Sequence, residues 1–236
     1  MSATPTDVRY ASVEDVLLAL DKDPGDFDTG DTLWTRAQKK ATAATRTWIN
    51  QTSRPFHPVQ VGDPDEPRTW ETHDVHDAET WDPARVMLDN RKILPLEPDQ
   101  GDALEVRTGR DQWRDVTDDE GDEWVLNYRT RRLLIYNRRL DLTPFDDPNT
   151  RFMRICYRYG PLGEDVTIAD NGVVESAPAD VNQAVAAKAA SKLVLDDEIK
   201  TGVPNDGQLT DRSTKRAALK ETWESTTAEY GSFSSV

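Results

Sequence analysis

The sequence predicts an α+β fold: a helical bundle, an antiparallel β-region inserted into it, and a C-terminal docking helix with a tail. Three observations predict it. Apolar residues recur at helical spacing over 11–21, 32–52 and 178–198. Between about 55 and 160, short runs rich in β-branched and aromatic residues alternate with turn-formers. A last helical stretch, 209–229, has an apolar stripe too thin to be stable alone, so it must dock. The divisions this implies are 1–54 for the first helices, 55–160 for the β-region, 161–200 for a loop and bundle helix, and 201–236 for the C-terminal helix and flexible tail.

The first helix opens at Ser12, with Asp15 three residues on as a short-armed capping partner. Val13, Val16, Leu17 and Leu20 then share one face. "DKDPGDFDTGD" reads as a loop from its Pro, Gly and Asp content. In the second helix Leu33, Ala37, Ala41, Ala44, Trp48 and Ile49 form a stripe with Arg and Lys opposite, and its small residues suit close packing. "SRPFHP" stops it with two prolines.

The strand-like runs are "VQVG", "RTWETHDV", "RVMLD", "KILPLE", "ALEVRTG", "QWRDVT", "WVLNYRTRRLLIYN" and "RFMRICYRYG". In the last, Phe152, Arg154, Cys156 and Arg158 lie opposite Met153, Ile155, Tyr157 and Tyr159, which predicts one apolar and one Arg-rich face. After the 161–177 loop, Pro178 and Asp180 open an Ala-rich helix, Asp180 facing the free backbone amides of its first turn. The final helix carries Leu219 and Trp223 one turn apart.

Hydrophobic residues are 36% and charged residues 31% of the 236, a thin core supply that predicts long polar loops and burial completed by neighbouring subunits. The net charge of −15 is spread along the whole chain, Asp far outnumbers Glu, and Arg outnumbers Lys about two to one. This distribution fits adaptation to high salt, where short carboxylates keep a surface hydrated, better than one acidic patch for a basic partner. It argues against sequence-specific duplex DNA binding. The single cysteine, Cys156, sits in an apolar strand and reads as a small core residue. No stretch approaches the ~20 apolar residues of a membrane span, and "MSATPTDVRYASVEDV" has no apolar signal core, so the sequence predicts a soluble product without membrane association.

Few residues suggest chemistry. "THDVHDAE" brings together His73, Asp74, His76 and Asp77, donors that suit a divalent ion. On a strand, however, His73 and His76 face opposite ways, and a solvated loop is the better reading. "DPDEP", "DDEGDE" and "FDDPN" resemble pieces of calcium loops without the full spacing, and turn chemistry explains them. His57, between prolines, has no nucleophile partner and reads as structural. Phosphate loops, nucleophile elbows and dinucleotide fingerprints are missing from the sequence. The sequence thus predicts no enzyme, no cofactor and no resident metal. "YRTRRLLIYNRRL" and "RFMRICYRY" concentrate Arg beside aromatics. These suit nucleic-acid backbone, but they suit pairing with the surrounding Asp better. Some of the seven tryptophans are expected at interfaces, where Trp is enriched.

Taken in order, four stretches resemble the head–tail connector, or adaptor, proteins of tailed phages and viruses. "YASVEDVLLAL" is similar to that family's opening tyrosine and first helix. "ATAATRTWINQTSRPFHP" is similar to its second helix. "RTRRLLIYNRRL…RFMRICYRYG" is similar to its strand pair ending in Tyr-x-Tyr-Gly, and "SAPADVNQAVAAKAASKLVLDDE" to its Pro-x-Asp-(Val/Ile)-x-x-Ala helix. The resemblance covers about residues 10–198.

It implies a virion protein at the neck: a ring of twelve subunits fixed under the portal, offering its other face to the next neck or tail-completion protein, with genomic DNA passing through its channel. The acidic composition fits a virus of a salt-loving archaeal host. The subunit contacts expected on this reading are Asp180, Gln183, Lys188 and Lys192 on the Ala-rich helix and Arg154 and Arg158 on the strands. Leu219, Trp223, Tyr230 and Phe233 are expected as apolar anchors for the portal. The competing expectation is a metal-, calcium- or carbohydrate-binding β-rich module of a viral or halophilic surface protein.

Overall fold

A computed structural model describes residues 8–74, 83–109, 112–136, 151–161, 166–194 and 209–231. They form an α+β protein of helices and antiparallel sheets in two compact units, one made of Met1–Phe56 with Gly163–Val236 and the other of His57–Leu162.

In the first unit, α1 spans Val13–Ala19, α2 Thr32–Thr52, α3 Ala179–Leu193 and α4 Leu209–Gly231. The start of α1 is fixed by a reciprocal cap. Asp15 N–H donates to Ser12 Oγ at 3.0 Å, and Ser12 N–H donates to Asp15 Oδ2 at 2.9 Å. Aspartate reaches here because Ser12 Oγ also donates to the same oxygen, at 2.7 Å. Val13, Val16, Leu17 and Leu20 are buried, while Leu18 is 58% exposed.

Helix α2 buries Ala37, Ala41, Ala44, Trp48 and Ile49; Leu33, expected on that stripe, is only half-buried. The helix ends where Ser53 turns left-handed (φ 51°) and donates to Ile49 O. Tyr10 ties the entering chain to α2 and to the segment that follows it: its N–H donates to Thr45 Oγ1 at 3.0 Å, and its hydroxyl accepts from Phe56 N–H at 2.9 Å.

Helix α3 is the centre of the bundle and packs on α1, α2 and α4. Nine of its fifteen residues are buried, five of them alanine. A helix apolar on most of its circumference needs neighbours on several sides, and alanine lets their backbones approach closely. Positions 195–198 of the expected helix lie outside the described residues.

In the second unit the strands are β1 Val59–Val61, β2 Glu71–Asp74, β3 Ala84–Met87, β4 Ala103–Gly109, β5 Gln112–Asp115, β6 Trp124–Asn127, β7 Arg132–Ile135 and β8 Arg151–Tyr159. One sheet has the order β1-β8-β4-β5, with β2 also paired to β8; the other has the order β3-β7-β6. All these pairs are antiparallel, and the register places Val59 against Tyr159, Glu71 against Ile155 and Leu104 against Ile155.

Three strand expectations change. The run "WVLNYRTRRLLIYN" is a hairpin, β6 and β7, reversed at 128–131 with Arg131 at φ 53° and Thr130 N–H donating to Asn127 Oδ1 at 2.9 Å. This turn contains neither glycine nor proline, the strongest local markers of a chain reversal. "KILPLE" gives one isolated bridge, Ile93 to Tyr159, and no strand, because Pro95 has no N–H to extend the ladder. In β8 the face carrying Arg154 and Arg158 also buries Phe152 and Cys156, so this central strand is covered on both sides and not on one.

Candidate interface surfaces

The α3–α4 side of the helical unit is organised around rings. Trp48 is fully buried, and its centroid lies 5.9 Å from that of Trp223 and 5.2 Å from that of Tyr230, both edge-to-face. Phe56 adds edge-to-face contacts to Tyr230 at 6.2 Å and to Tyr10 at 5.6 Å. The Tyr230 hydroxyl donates to Asp180 Oδ2 at 2.9 Å, and the Arg54 guanidinium lies 5.8 Å from the ring centroid. Burial and the adjacent Asp180 carboxylate push the Tyr230 phenol up from its ordinary value. Lys188 Nζ lies 4.8 Å over the Trp223 ring. Burial lowers its pKa, and Lys192 and Lys220 lower it further.

Trp223 and Tyr230, expected as anchors for a partner, are therefore engaged within the chain. The polar helix α4 finds its apolar support in Trp48, some 175 residues away in sequence. Leu219 lines a groove of ≈ 330 Å3 together with Leu18, Ala19, Gln183 and Ala187. Gln183 and Lys192 are exposed on α3. Phe233 lies outside the described residues.

Arg154 and Arg158 belong to the β-unit, and both charges are matched there. Arg154 pairs with Glu105, and its guanidinium lies 4.4 Å from the centroid of Trp113 and 5.5 Å from that of Trp70. Arg158 pairs with Asp102 at 2.8 Å and with Glu97 at 3.0 Å. Asp102, whose side chain is 0% exposed, also accepts from Glu97 N–H at 2.9 Å. The arginines thus pair with carboxylates of their own chain, the reading the sequence favoured over nucleic-acid contact. The Trp70–Arg154–Trp113 stack had no sequence signal, because three separate segments supply it.

Of the histidine cluster, His73 and Asp74 are described, and both lie on β2. His73 Nε2 lies 2.9 Å from Glu71 Oε1. The same carboxylate accepts from Tyr157 Oη at 2.5 Å and from Asp89 N–H at 3.1 Å. His76 and Asp77 lie outside the described residues. Among the described residues no group of three or more His, Cys, Asp or Glu is placed to hold a metal ion. The acids of "DDEGDE" serve as partners to neighbouring side chains: Glu123 bonds Arg114 at 2.6 Å, and Glu120 accepts from the Tyr128 hydroxyl at 3.0 Å. His57 is buried, and that burial holds its imidazole down to about 4, so it is neutral at pH 7. No helix among the described residues is long and apolar enough to cross a membrane.

No family model and no curated protein matches the chain. Among solved structures, a chain from the "Neck of empty GTA particle computed with C6 symmetry" is similar over 93% of this chain and 92% of that one, at 15% identity and a TM-score of 0.43. A likeness of that strength transfers neither a family nor a role.

Proposed function

We propose that the protein is a structural subunit of the head–tail junction of a tailed virus, an adaptor that forms a ring between the portal and the next neck protein. The supporting observation is the assembly around α3. The helix with the Pro-x-Asp-Val-x-x-Ala opening is the buried hub of the helical unit, and the other two family-like helical stretches, α1 and α2, pack on it. Its alanines make a rigid core from short side chains, which suits a subunit that must present the same surfaces at every position of a closed ring.

On this reading the ring has twelve subunits and genomic DNA passes through it without sequence-specific binding. The acid excess fits a salt-loving archaeal host. The exposed residues of α3, Gln183 near its start and Lys192 near its end, are contacts to neighbouring subunits. Portal docking falls to the groove that Leu219 of α4 lines with Leu18, Ala19 and Gln183, and to Phe233 further along the chain, because Trp223 and Tyr230 serve the bundle.

The test is capture of the portal protein of the same virus by the full chain and by a Leu219→Asp/Phe233→Asp variant. These positions are preferable to truncation after Gly207, which would uncover Trp48. Capture by the full chain and loss in the variant is the expected result. Equal capture by both would remove α4 from the interface, and no capture by either would count against the adaptor reading.

A further inference from the structure

In a chain of net charge −15, helix α2 carries Arg36, Lys39, Lys40 and Arg46 and not one carboxylate between positions 32 and 52. Lys39 and Arg46 are exposed and border a shallow groove of ≈ 460 Å3 on the outer side of the helix. Its floor is made of short side chains, Thr35, Thr42 and Ala43, on which another backbone can lie close. Among the described residues no carboxylate pairs with Lys39, Lys40 or Arg46, whereas Lys215 on α4 pairs with Asp21.

The loop leading into α2, residues 21–31, has the opposite character. It contains five aspartates and one lysine. Asp23, Asp26 and Asp28 are exposed, and no cation pairs with them among the described residues. Both features belong to one compact unit. The loop sits at the N-terminal end of α2, and Lys39 and Arg46 lie about 10 to 21 Å further along its axis at 1.5 Å per residue. Within one copy the loop's aspartates pair with none of Lys39, Lys40 and Arg46 among the described residues, whereas a second copy can bring its loop there.

We infer that the basic groove of α2 is a subunit interface that takes the acidic 21–31 loop of a second copy of this chain. The inference deepens the ring reading above and rests on it for the choice of a second copy. Loop and groove are different surfaces at different places on the unit, so the contact is heterologous, and repetition about an axis closes a ring. Nucleic acid is the other polyanion that suits lysine and arginine. A whole-chain charge of −15 repels it, and the helix offers no aromatic platform between the cations. A complementary loop on the same unit needs no such concession, and opposite potentials steer the encounter.

The experiment is sedimentation of the purified full chain at one fixed salt concentration at which its far-UV spectrum shows intact helices. Lys39→Glu/Arg46→Glu and Asp26→Lys/Asp28→Lys each reverse charge at exposed positions and should keep that spectrum. Each variant alone is expected to associate roughly tenfold or more weakly than the parent. An equimolar mixture of the two is expected to recover association, because each variant's altered surface then meets its altered complement.

A parent that stays monomeric up to about 1 mM, variants that associate as well as the parent, or a mixture that shows no recovery would each overturn the inference. So would unchanged association of the groove variant combined with loss of binding to a short DNA duplex, which would make the groove a nucleic-acid face. Portal capture is measured separately, so self-association through α2 can fail while the adaptor reading stands, and the reverse.

Discussion

His57 is nearly fully buried, and its imidazole is held down to about 4 by that burial, against 6.5 when exposed. Below pH 6.5 the unfolded chain binds a proton that the folded one refuses. The stabilisation is therefore complete above pH 6.5 and is lost as pH falls toward 4, by about 3 kcal/mol in all. His57→Gln should flatten the difference between urea midpoints measured at pH 7 and pH 4.5 relative to the parent; an equal pH dependence in both would show that the imidazole is not responsible.

Glu71 offers a second test at this scale. Its carboxylate accepts from Tyr157, from the Asp89 amide and at His73, so Tyr157→Phe should cost about 1–2 kcal/mol while leaving the other two contacts in place. Glu71→Ala should cost more, since it leaves the buried Tyr157 O–H without its acceptor, Asn90 only donating to that oxygen. Chemical denaturation of the two variants compares them, and an equal cost would put the phenol's bond outside the balance.

At the scale of elements, α4 depends on one residue more than on its own propensity. Its stripe is thin, and Trp223, against Trp48 and beneath Lys188, provides most of its apolar burial. Trp223→Ala should cost about 3–5 kcal/mol if α4 stays docked. Because a polar helix of this kind is marginal alone, the expected outcome is undocking. Far-UV helicity should fall, and the fluorescence of Trp48, fully buried in the parent, should shift to the red. A variant that keeps both signals would mean that α4 is held by other contacts. The hairpin β6–β7 shows the converse: its strands pair in full register from Trp124 against Ile135 to Asn127 against Arg132, although its turn contains neither glycine nor proline. The ladder, with Leu126 and Leu133 buried on it, outweighs the cost of a left-handed Arg131.

At the scale of the molecule, charge makes two predictions of opposite sign. The spread carboxylates repel one another, and salt screens them, so the fold should lose helicity as salt falls from molar to about 0.15 M. The α2 contact between unlike charges should instead weaken as salt rises. Far-UV spectra follow the first and sedimentation the second. A far-UV spectrum unchanged down to low salt would remove salt adaptation as the reason for the acid excess.

The sequence by itself determined the class of fold and the position of each long helix. Ser12 with Asp15, the alanine and tryptophan stripe of α2, the prolines at 55 and 58 and the Pro178–Asp180 opening of α3 are local signals, read within a turn or two of chain. It also determined that Arg154 and Arg158 would seek carboxylates, because the composition left few other partners. Only the tertiary structure decided which carboxylates these were. It alone decided that β8 is covered on both faces, that Tyr157 meets Glu71, and that Trp223 and Tyr230 close onto Trp48. Each of those contacts joins residues about 50 to 180 positions apart, and the free energy of such a contact depends on what else is buried beside it. Periodicity marks that a face is apolar; the packed partner on that face is fixed by the whole fold.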